Sequence, residues 1–391
     1  MIQVKGSTIQ DFCTILRKGL GICNRRRGPD VHVSSDEKCL RIRAITDEIA
    51  IEWATAGNSL PERFSAPLDL LREYRGSRTS SVDWKLDGEK IDSHWLDAGV
   101  HKSLTFKAIS QDSTFPETPV HWVENERRLV AALSIAADTV DQRSTEFALS
   151  YVCLRGQDGQ VVATDGRQAI AESGFRFPWN EQCLVPLRRL LTCQKFLDGE
   201  KVHVGKLADW VVIRSGHWTV WLRINRRSRY PELDFLLRRP AFVVAVLQIG
   251  ESDAKFLQRN LKNLPSSESF NGPVTIDMND QIALRAENAR SSSVTELILA
   301  NSRRSGAEVC LVSDRTFLDR AIRLGFREFL VAGEEAPVVC VSKDRVMVWA
   351  LLGSDAAIRS SSWAAKTSLV SDIHFNKPFY LDSLSRSTIK N

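Results

Sequence analysis

No apolar run in this chain of 391 residues approaches the roughly 18 residues that a membrane-spanning helix needs. The longest, around Ala241 to Leu247, breaks at Gln248. The N-terminus, Met1-Ile2-Gln3-Val4-Lys5-Gly6, carries no apolar signal region, so neither a membrane nor an exported protein is expected. The eight cysteines form no Cys-x-x-Cys, and no histidine pair stands at zinc spacing. Several cysteines lie in apolar runs such as Tyr151-Val152-Cys153-Leu154 and Val338-Val339-Cys340-Val341, as buried reduced thiols of a cytoplasmic protein do. Catalytic signatures are missing too. Gly19-Leu20-Gly21 lacks the rest of a dinucleotide fingerprint, and there is neither a Walker A lysine nor a Gly-x-Ser-x-Gly elbow. The seven histidines are scattered. An excess of 53 basic over 48 acidic residues gives a net charge of only +5, so the placement of charge matters more than its sum.

What the chain does have is a folded composition, 43% hydrophobic and 26% charged, at a length that fits two to four domains at about 150 residues each. It also repeats itself. An alternating strand that ends in a polar turn reads Leu40-Arg41-Ile42-Arg43-Ala44-Ile45-Thr46-Asp47, then Gln160-Val161-Val162-Ala163-Thr164-Asp165. A third version is Gln281-Ile282-Ala283-Leu284-Arg285-Ala286-Glu287-Asn288. Asp47 and Asp165 are 118 residues apart, and Asp165 and Asn288 are 123 apart.

Other elements keep this phase. Helical apolar spacing opens each copy at Ile9-Phe12-Ile15-Leu16, Leu129-Ala132-Leu133-Ala136 and Phe256-Leu257-Leu261. A second helix is predicted after each turn, over Pro67 to Tyr74, Pro186 to Phe196 and Asp314 to Leu324. Prolines open two of them, and Ser313 or Asp314 caps the third. Strands close the copies at Ser103 to Ile109, Asp209 to Ile224 and Val338 to Leu352. Each copy therefore has two helices and about eight short strands, an α+β unit with helices on one face of antiparallel sheet. Breaks near Pro119 to Asn125 and near Arg238 to Ala241 divide the chain into 1–122, 123–240 and 241–353, with an extension over 354–391.

Val161-Val162-Ala163-Thr164-Asp165-Gly166-Arg167-Gln168-Ala169 resembles the strand-and-turn signature of the bacterial DNA polymerase III beta subunit, the DNA sliding clamp family. Arg229-Tyr230-Pro231-Glu232-Leu233-Asp234-Phe235-Leu236 resembles the segment between the family's second and third domains. Ser113-Thr114-Phe115-Pro116 resembles the Phe-Pro that closes its first domain, and Ala286-Glu287-Asn288 its third-domain turn. The likeness spans about residues 1 to 353, in order and spacing.

It implies three tandem DNA-clamp domains, each with two helices packed on antiparallel sheets, that form half of a six-domain ring. Such a homodimer is no enzyme and needs no cofactor or metal. It encircles double-stranded DNA without sequence preference as a processivity factor in DNA replication, and it tethers DNA polymerase, clamp-loader and repair proteins through short peptide motifs.

Cations cluster on the predicted helices, where they would attract phosphates in a salt-dependent way. The DNA-facing set is Arg25, Arg26, Arg27, Arg72, Arg75, Arg127, Arg128, Arg188, Arg189, Lys195, Lys255, Arg259, Lys262, Arg320 and Arg323. Arg17, Lys18, Arg315 and Arg327 lie in or beside the same helices. The net positive charge departs from the family, whose members are usually acidic. By motif position the family's peptide pocket maps to Leu149, Thr164, Gly166, Arg167, Gln168, Ala169, Pro231, Phe235 and Leu236, with Met347, Trp349 and Leu351 from an alternating strand. Family members usually carry a basic-apolar pair where Gln168 and Ala169 stand.

The extension, with nine serines in 38 residues, is expected to be flexible or to lie in that pocket. One alternative is a divergent clamp paralogue with a single specialised partner. The other is a metal-dependent nuclease using Asp47 and Asp165. Equivalent positions of separate domains should lie tens of ångströms apart, whereas paired metals sit about 4 Å apart, which disfavours the nuclease.

Overall fold

The computed structural model describes residues 1–20, 22, 28–57, 61–110, 114–144, 148–187, 190, 199–265, 271–288 and 290–369. The chain forms two compact units. The first comprises Met1–Arg238 with Lys343–Val348, and the second Arg239–Ser342 with residues from Trp349 onward.

The first copy opens with β1 (Ile2–Lys5) and α1 (Gly6–Leu20), followed by β2 (Val31–Ser35), β3 (Cys39–Ile45), β4 (Ile49–Ala56) and β5 (Glu62–Ala66). A short helix α2 (Asp69–Arg72) then leads to β6 (Ser81–Asp87), β7 (Lys90–Asp97) and β8 (Val100–Lys107). The expected apolar stripe of α1 is the buried one: Ile9, Phe12, Ile15 and Leu16 are all at most 1% exposed. Each such side chain contributes roughly 1.5–3 kcal/mol by leaving water. The second helix is shorter than expected. Its hydrogen-bonded turns begin where Leu70 N donates to Pro67 O and end where Glu73 N donates to Asp69 O. Tyr74 turns inward instead, and its hydroxyl donates to Ser77 O at 2.9 Å.

The second copy repeats the order with β9 (Trp122–Glu126), α3 (Arg128–Ala137), β10 (Val152–Arg155), β11 (Gln160–Thr164), β12 (Gln168–Glu172) and β13 (Gln182–Val185). It closes with β14 (Lys201–Lys206), β15 (Trp210–Ser215) and β16 (Trp218–Arg223). The stripe Leu129, Ala132, Leu133 and Ala136 of α3 is buried as expected. Most of the helix expected over Pro186 to Phe196 lies outside the described residues.

The third copy has β17 (Ala245–Gln248), α4 (Glu251–Asn260), β18 (Pro273–Met278), β19 (Ile282–Glu287), β20 (Val294–Ile298), β21 (Arg303–Gly306) and β22 (Cys310–Asp314). Then come α5 (Arg315–Arg323), β23 (Glu328–Val331), β24 (Val338–Val341) and β25 (Arg345–Trp349). Asp314 caps α5, its carboxylate accepting from Thr316 N at 2.8 Å. That satisfies one of the amides a helix start leaves open.

The sheets carry the repetition. In the first unit, one sheet runs β1-β6-β7-β8 and another runs β5-β2-β3-β4-β16-β15-β14-β9. A third follows β13-β10-β11-β12, with β25 beside β12. In the second unit, β22-β18-β19-β20 has the same internal order as β5-β2-β3-β4 and β13-β10-β11-β12. The tripled turn thus joins equivalent strands each time: β3 to β4, β11 to β12 and β19 to β20. This is the expected α+β architecture of three like domains.

The described part of the extension, residues 354–369, departs from the flexible segment expected. It forms β26 (Ala365–Ser368), which lies parallel to β20 with Thr295 opposite Ala365 and Ile298 opposite Ser368. Residues 370–391 lie outside the described residues.

Six described cysteines are free, and Cys153, Cys183 and Cys340 are buried. Burial pushes the Cys153 thiol up to about 12 and the Cys183 thiol up to about 11. At pH 8 well under about 1% of either is thiolate, the reactive form. Peptide mapping after iodoacetamide treatment at pH 8 should find both unmodified in the native chain and modified after unfolding. Rapid native labelling of Cys153 would contradict its placement.

Candidate nucleic-acid interface and peptide groove

The helices of the first copy bring Arg17, Arg72 and Arg75 around a cleft of about 500 Å³ between α1 and α2. Arg17 and Arg75 are exposed, while Arg72 is half-buried, 3.6 Å from Asp69. Cys13 lines the same cleft. Burial pushes its thiol up to about 11 against the opposing pull of Arg72 and Arg17. On α3 the two arginines part company. Arg127 is exposed at the helix start. Arg128 is engaged by its own unit: it meets Asp344 at 2.7 Å, donates to Ser173 O at 3.1 Å and lies 4.9 Å from the Phe175 ring centroid. It holds the α3 start against the loop after β12 and the turn before β25.

In the second unit α4 and α5 lie side by side. Lys262 and Arg323 share Asp319, at 3.9 and 2.7 Å, and Arg323 also donates to Gln258 O at 2.7 Å. The apolar face of α4, with Ala254, Phe256 and Leu257, is buried, which leaves Lys255 and Arg259 exposed. Lys255 is paired loosely with Glu251 at 3.8 Å. Arg320 is half-buried. Arg315, in contrast, points into the fold. Its guanidinium donates to the carbonyls of Leu264, Pro265 and Gly272 at 2.7, 2.6 and 2.9 Å, so it ties the loop after α4 to the start of α5. Arg327 likewise closes the end of α5 by donating to Ile322 O at 3.1 Å. Arg25, Arg26, Arg27, Arg188, Arg189 and Lys195 lie outside the described residues.

The repeated turn of the second copy is held by its own side chains. Asp165 accepts from the Arg167 and Gln168 amides, each at 2.9 Å, and from Gln168 Nε2 at 2.8 Å. Thr164 Oγ1 donates to Gln168 O and accepts from Gly166 N. Gly166 sits at φ +88°, a conformation that favours glycine, and a Cβ added there would stand 3.5 Å from Leu149 Cδ1. Leu149 and Gly166 are therefore neighbours, with Gly166 and Arg167 exposed and Leu149 half-buried. Thr164, Gln168, Ala169 and Met347 are buried.

The segment carrying Pro231, Phe235 and Leu236 is pinned to the same sheet. Asp234 meets Arg155 of β10 at 2.6 Å, and Tyr230 donates to the Val162 carbonyl of β11 at 3.3 Å. Phe235 is 74% exposed, while Pro231 and Leu236 are half-buried. Trp349 and Leu351 belong to the second unit, where Trp349 is buried and donates to Ser313 Oγ at 3.0 Å.

The DNA polymerase III subunit beta of Pseudomonas aeruginosa matches 90% of this chain and 99% of its own, with a TM-score of 0.71 and 14% identity. A Pseudomonas aeruginosa sliding clamp bound to griselimycin matches with the same coverage, a TM-score of 0.72 and 12% identity. The DNA polymerase III beta subunit of Thermotoga maritima matches over the same shares, at a TM-score of 0.71 and 13% identity.

The fold is that of a DNA sliding clamp.

No protein-family model matches the chain, and no curated protein is similar to it in sequence. The clamp fold is thus carried by a sequence only 12–14% identical to those structures. None of the short signals for clamp turns pointed to Arg155–Asp234 or Tyr230–Val162 as the fastenings of the linker, because each joins residues more than 65 positions apart. No helix among the described residues is long and apolar enough to cross a membrane.

Proposed function

We propose that this chain is a DNA sliding clamp, a non-catalytic cytoplasmic processivity factor whose domains are 1–122, 123–240 and 241–353. Two copies close head to tail into a ring of six domains around duplex DNA, with the helices turned toward the phosphates. The observation that carries this reading is the threefold sheet order within one chain, beside a fold match to a sliding clamp over 90% of its length. Exposed Arg17, Arg75, Arg127, Lys255, Arg259 and Lys262 supply a sequence-independent attraction. Arg25, Arg26, Arg27, Arg188, Arg189, Lys195, Arg320 and Arg323 add to it, whereas Arg128 acts mainly as a fastening.

Three measurements test this. Light scattering should give a mass near twice 43.9 kDa. The protein should be retained on nicked circular DNA and lost when the circle is cut, since a ring slides off an end. Equal retention on circular and linear DNA would reject encirclement. Changing Lys255, Arg259 and Lys262 together to alanine should lower the slope of log binding against log salt by about one unit per lost contact. An unchanged slope would remove α4 from the interface.

Leu149, Gly166, Arg167, Pro231, Phe235 and Leu236 form the first unit's part of a groove for short peptides of polymerase, loader or repair proteins. Thr164, Gln168, Ala169 and Met347 support its floor. A peptide with a glutamine and two terminal apolar residues should bind with micromolar affinity, near −8 kcal/mol at about 1 μM. Gly166→Arg should abolish that binding while the circular dichroism spectrum stays native. Retained binding in titration calorimetry would exclude this surface.

A further inference from the structure

The sheet order contains a pairing rule. In the first unit β4, the strand after the repeated turn, pairs antiparallel with β16, the last strand of the next copy, with Ile51 opposite Val220 and Trp53 opposite Trp218. The equivalent strand of the second copy, β12, has β25 beside it, the last strand of the third copy. Each copy's post-turn strand therefore takes the final strand of the copy that comes next.

Two strands are left over. β20 is the post-turn strand of the third copy, and no strand of a further copy pairs with it among the described residues. β8 is the final strand of the first copy, and among the described residues it stands at the edge of β1-β6-β7-β8. An unpaired edge of this kind is a ready template for another strand. β8 is exposed at every position but the half-buried Phe106, with Val100 and Leu104 at 55% and 39%, and it carries His101, Lys102 and Lys107 with no acid. By the rule, the strand that fits β20 is β8 of a second copy.

The chain already covers β20, with its own β26. Lys366 of β26 places Nζ 3.5 Å from Glu296 Oε2 on β20, a buried carboxylate whose other oxygen takes Arg285 Nε at 2.5 Å. Ile358 N donates to Thr275 Oγ1 at 2.8 Å and fastens the approach. The cover is a thin one. All four residues of β26, Ala365-Lys366-Thr367-Ser368, are exposed, and the pairing is parallel, the less stable geometry. β8 offers an antiparallel strand with apolar side chains, and Lys102 to answer Glu296.

We propose that the C-terminal extension is a built-in competitor for the ring-closing edge. β26 occupies β20 in the single chain and leaves when β8 of a second copy pairs there. The inference rests on the ring reading. It makes closure a strand exchange, so the extension sets how readily two copies associate.

The test is the dimer dissociation constant of the full chain, measured by sedimentation up to about 100 μM, against that of the full chain carrying Lys366→Pro and Thr367→Pro. Proline removes the amide that a ladder needs. The prolines should tighten the dimer about tenfold or more, and Lys366→Glu, facing Glu296, should act in the same direction. Leu104→Asp on β8 should weaken the dimer in every background. Equal constants with and without the prolines, together with sensitivity to Leu104→Asp, would overturn the competitor and leave the ring standing. Weaker association with the prolines would overturn it as well, by making β26 part of the joint. A dimer indifferent to Leu104→Asp would overturn the pairing itself. A monomer in all forms would overturn both the competitor and the ring.

Discussion

Trp221→Ala is expected to destabilise the first unit by about 4–6 kcal/mol. Trp221 is fully buried on β16, opposite Ala50 of β4, where the first and second copies join. It packs with Ala50 and Val212, with Ile45, Phe115, Trp122, Leu207 and Trp210 around them. Its ring meets Phe115 edge-on at 4.9 Å, and its Nε1 donates to Glu117 O at 2.8 Å. Emptying a site of that size costs about 3–5 kcal/mol, and losing the bond to the linker carbonyl adds about 1. Trp221→Phe keeps most of the volume and should cost about 1–2 kcal/mol. Urea unfolding followed by hydrogen exchange would locate the loss. A change below about 2 kcal/mol for the alanine variant would mean that the joint between the copies can collapse onto the cavity.

Arg285→Ala should cost the second unit about 3–5 kcal/mol, for a different reason. Arg285 on β19 lies between Asp277 of β18, at 2.6 Å, and Glu296 of β20, at 2.5 Å, and all three side chains are at most 10% exposed. Removing the guanidinium leaves two carboxylates out of water with only the exposed Lys366, 3.5 Å from Glu296, to offset them, which is far worse than losing one attraction. Asp277→Leu, Arg285→Met and Glu296→Leu combined should recover most of the loss, since well-packed apolar groups of like volume often replace a buried charged set at little cost. Guanidinium unfolding midpoints of the single and triple variants decide it. A triple variant as unstable as the single one would show that the three charges are needed for packing as well as for neutrality. The first copy has a related pair, Arg43 with Glu52 at 2.6 Å across β3 and β4. A buried glutamate on the post-turn strand is thus held from the strand before it in two copies.

The sequence by itself determined the periodicity and the faces that periodicity buries. Alternation in Leu40-Arg41-Ile42-Arg43-Ala44 puts Leu40, Ile42 and Ala44 inside β3, because successive side chains of a strand point to opposite faces. Spacing of three and four in Ile9-Phe12-Ile15-Leu16 selects the buried stripe of α1 for the same local reason. The turns were legible as well, since an Asp-Gly at 165–166 both caps its own amides and accepts a positive φ. Counting cations along the helices, by contrast, could not separate Arg259 from Arg315. Both stand in or beside basic helices, yet one is exposed and the other is spent on three loop carbonyls, 51 positions from the farthest of them. Only the tertiary structure decided that, because whether a guanidinium meets solvent or a backbone carbonyl depends on chain brought in from far away. The same holds for the extension. Ala365-Lys366-Thr367-Ser368 has no apolar alternation to mark a strand, and it becomes one only because β20 presents an edge of open backbone groups for it to pair with.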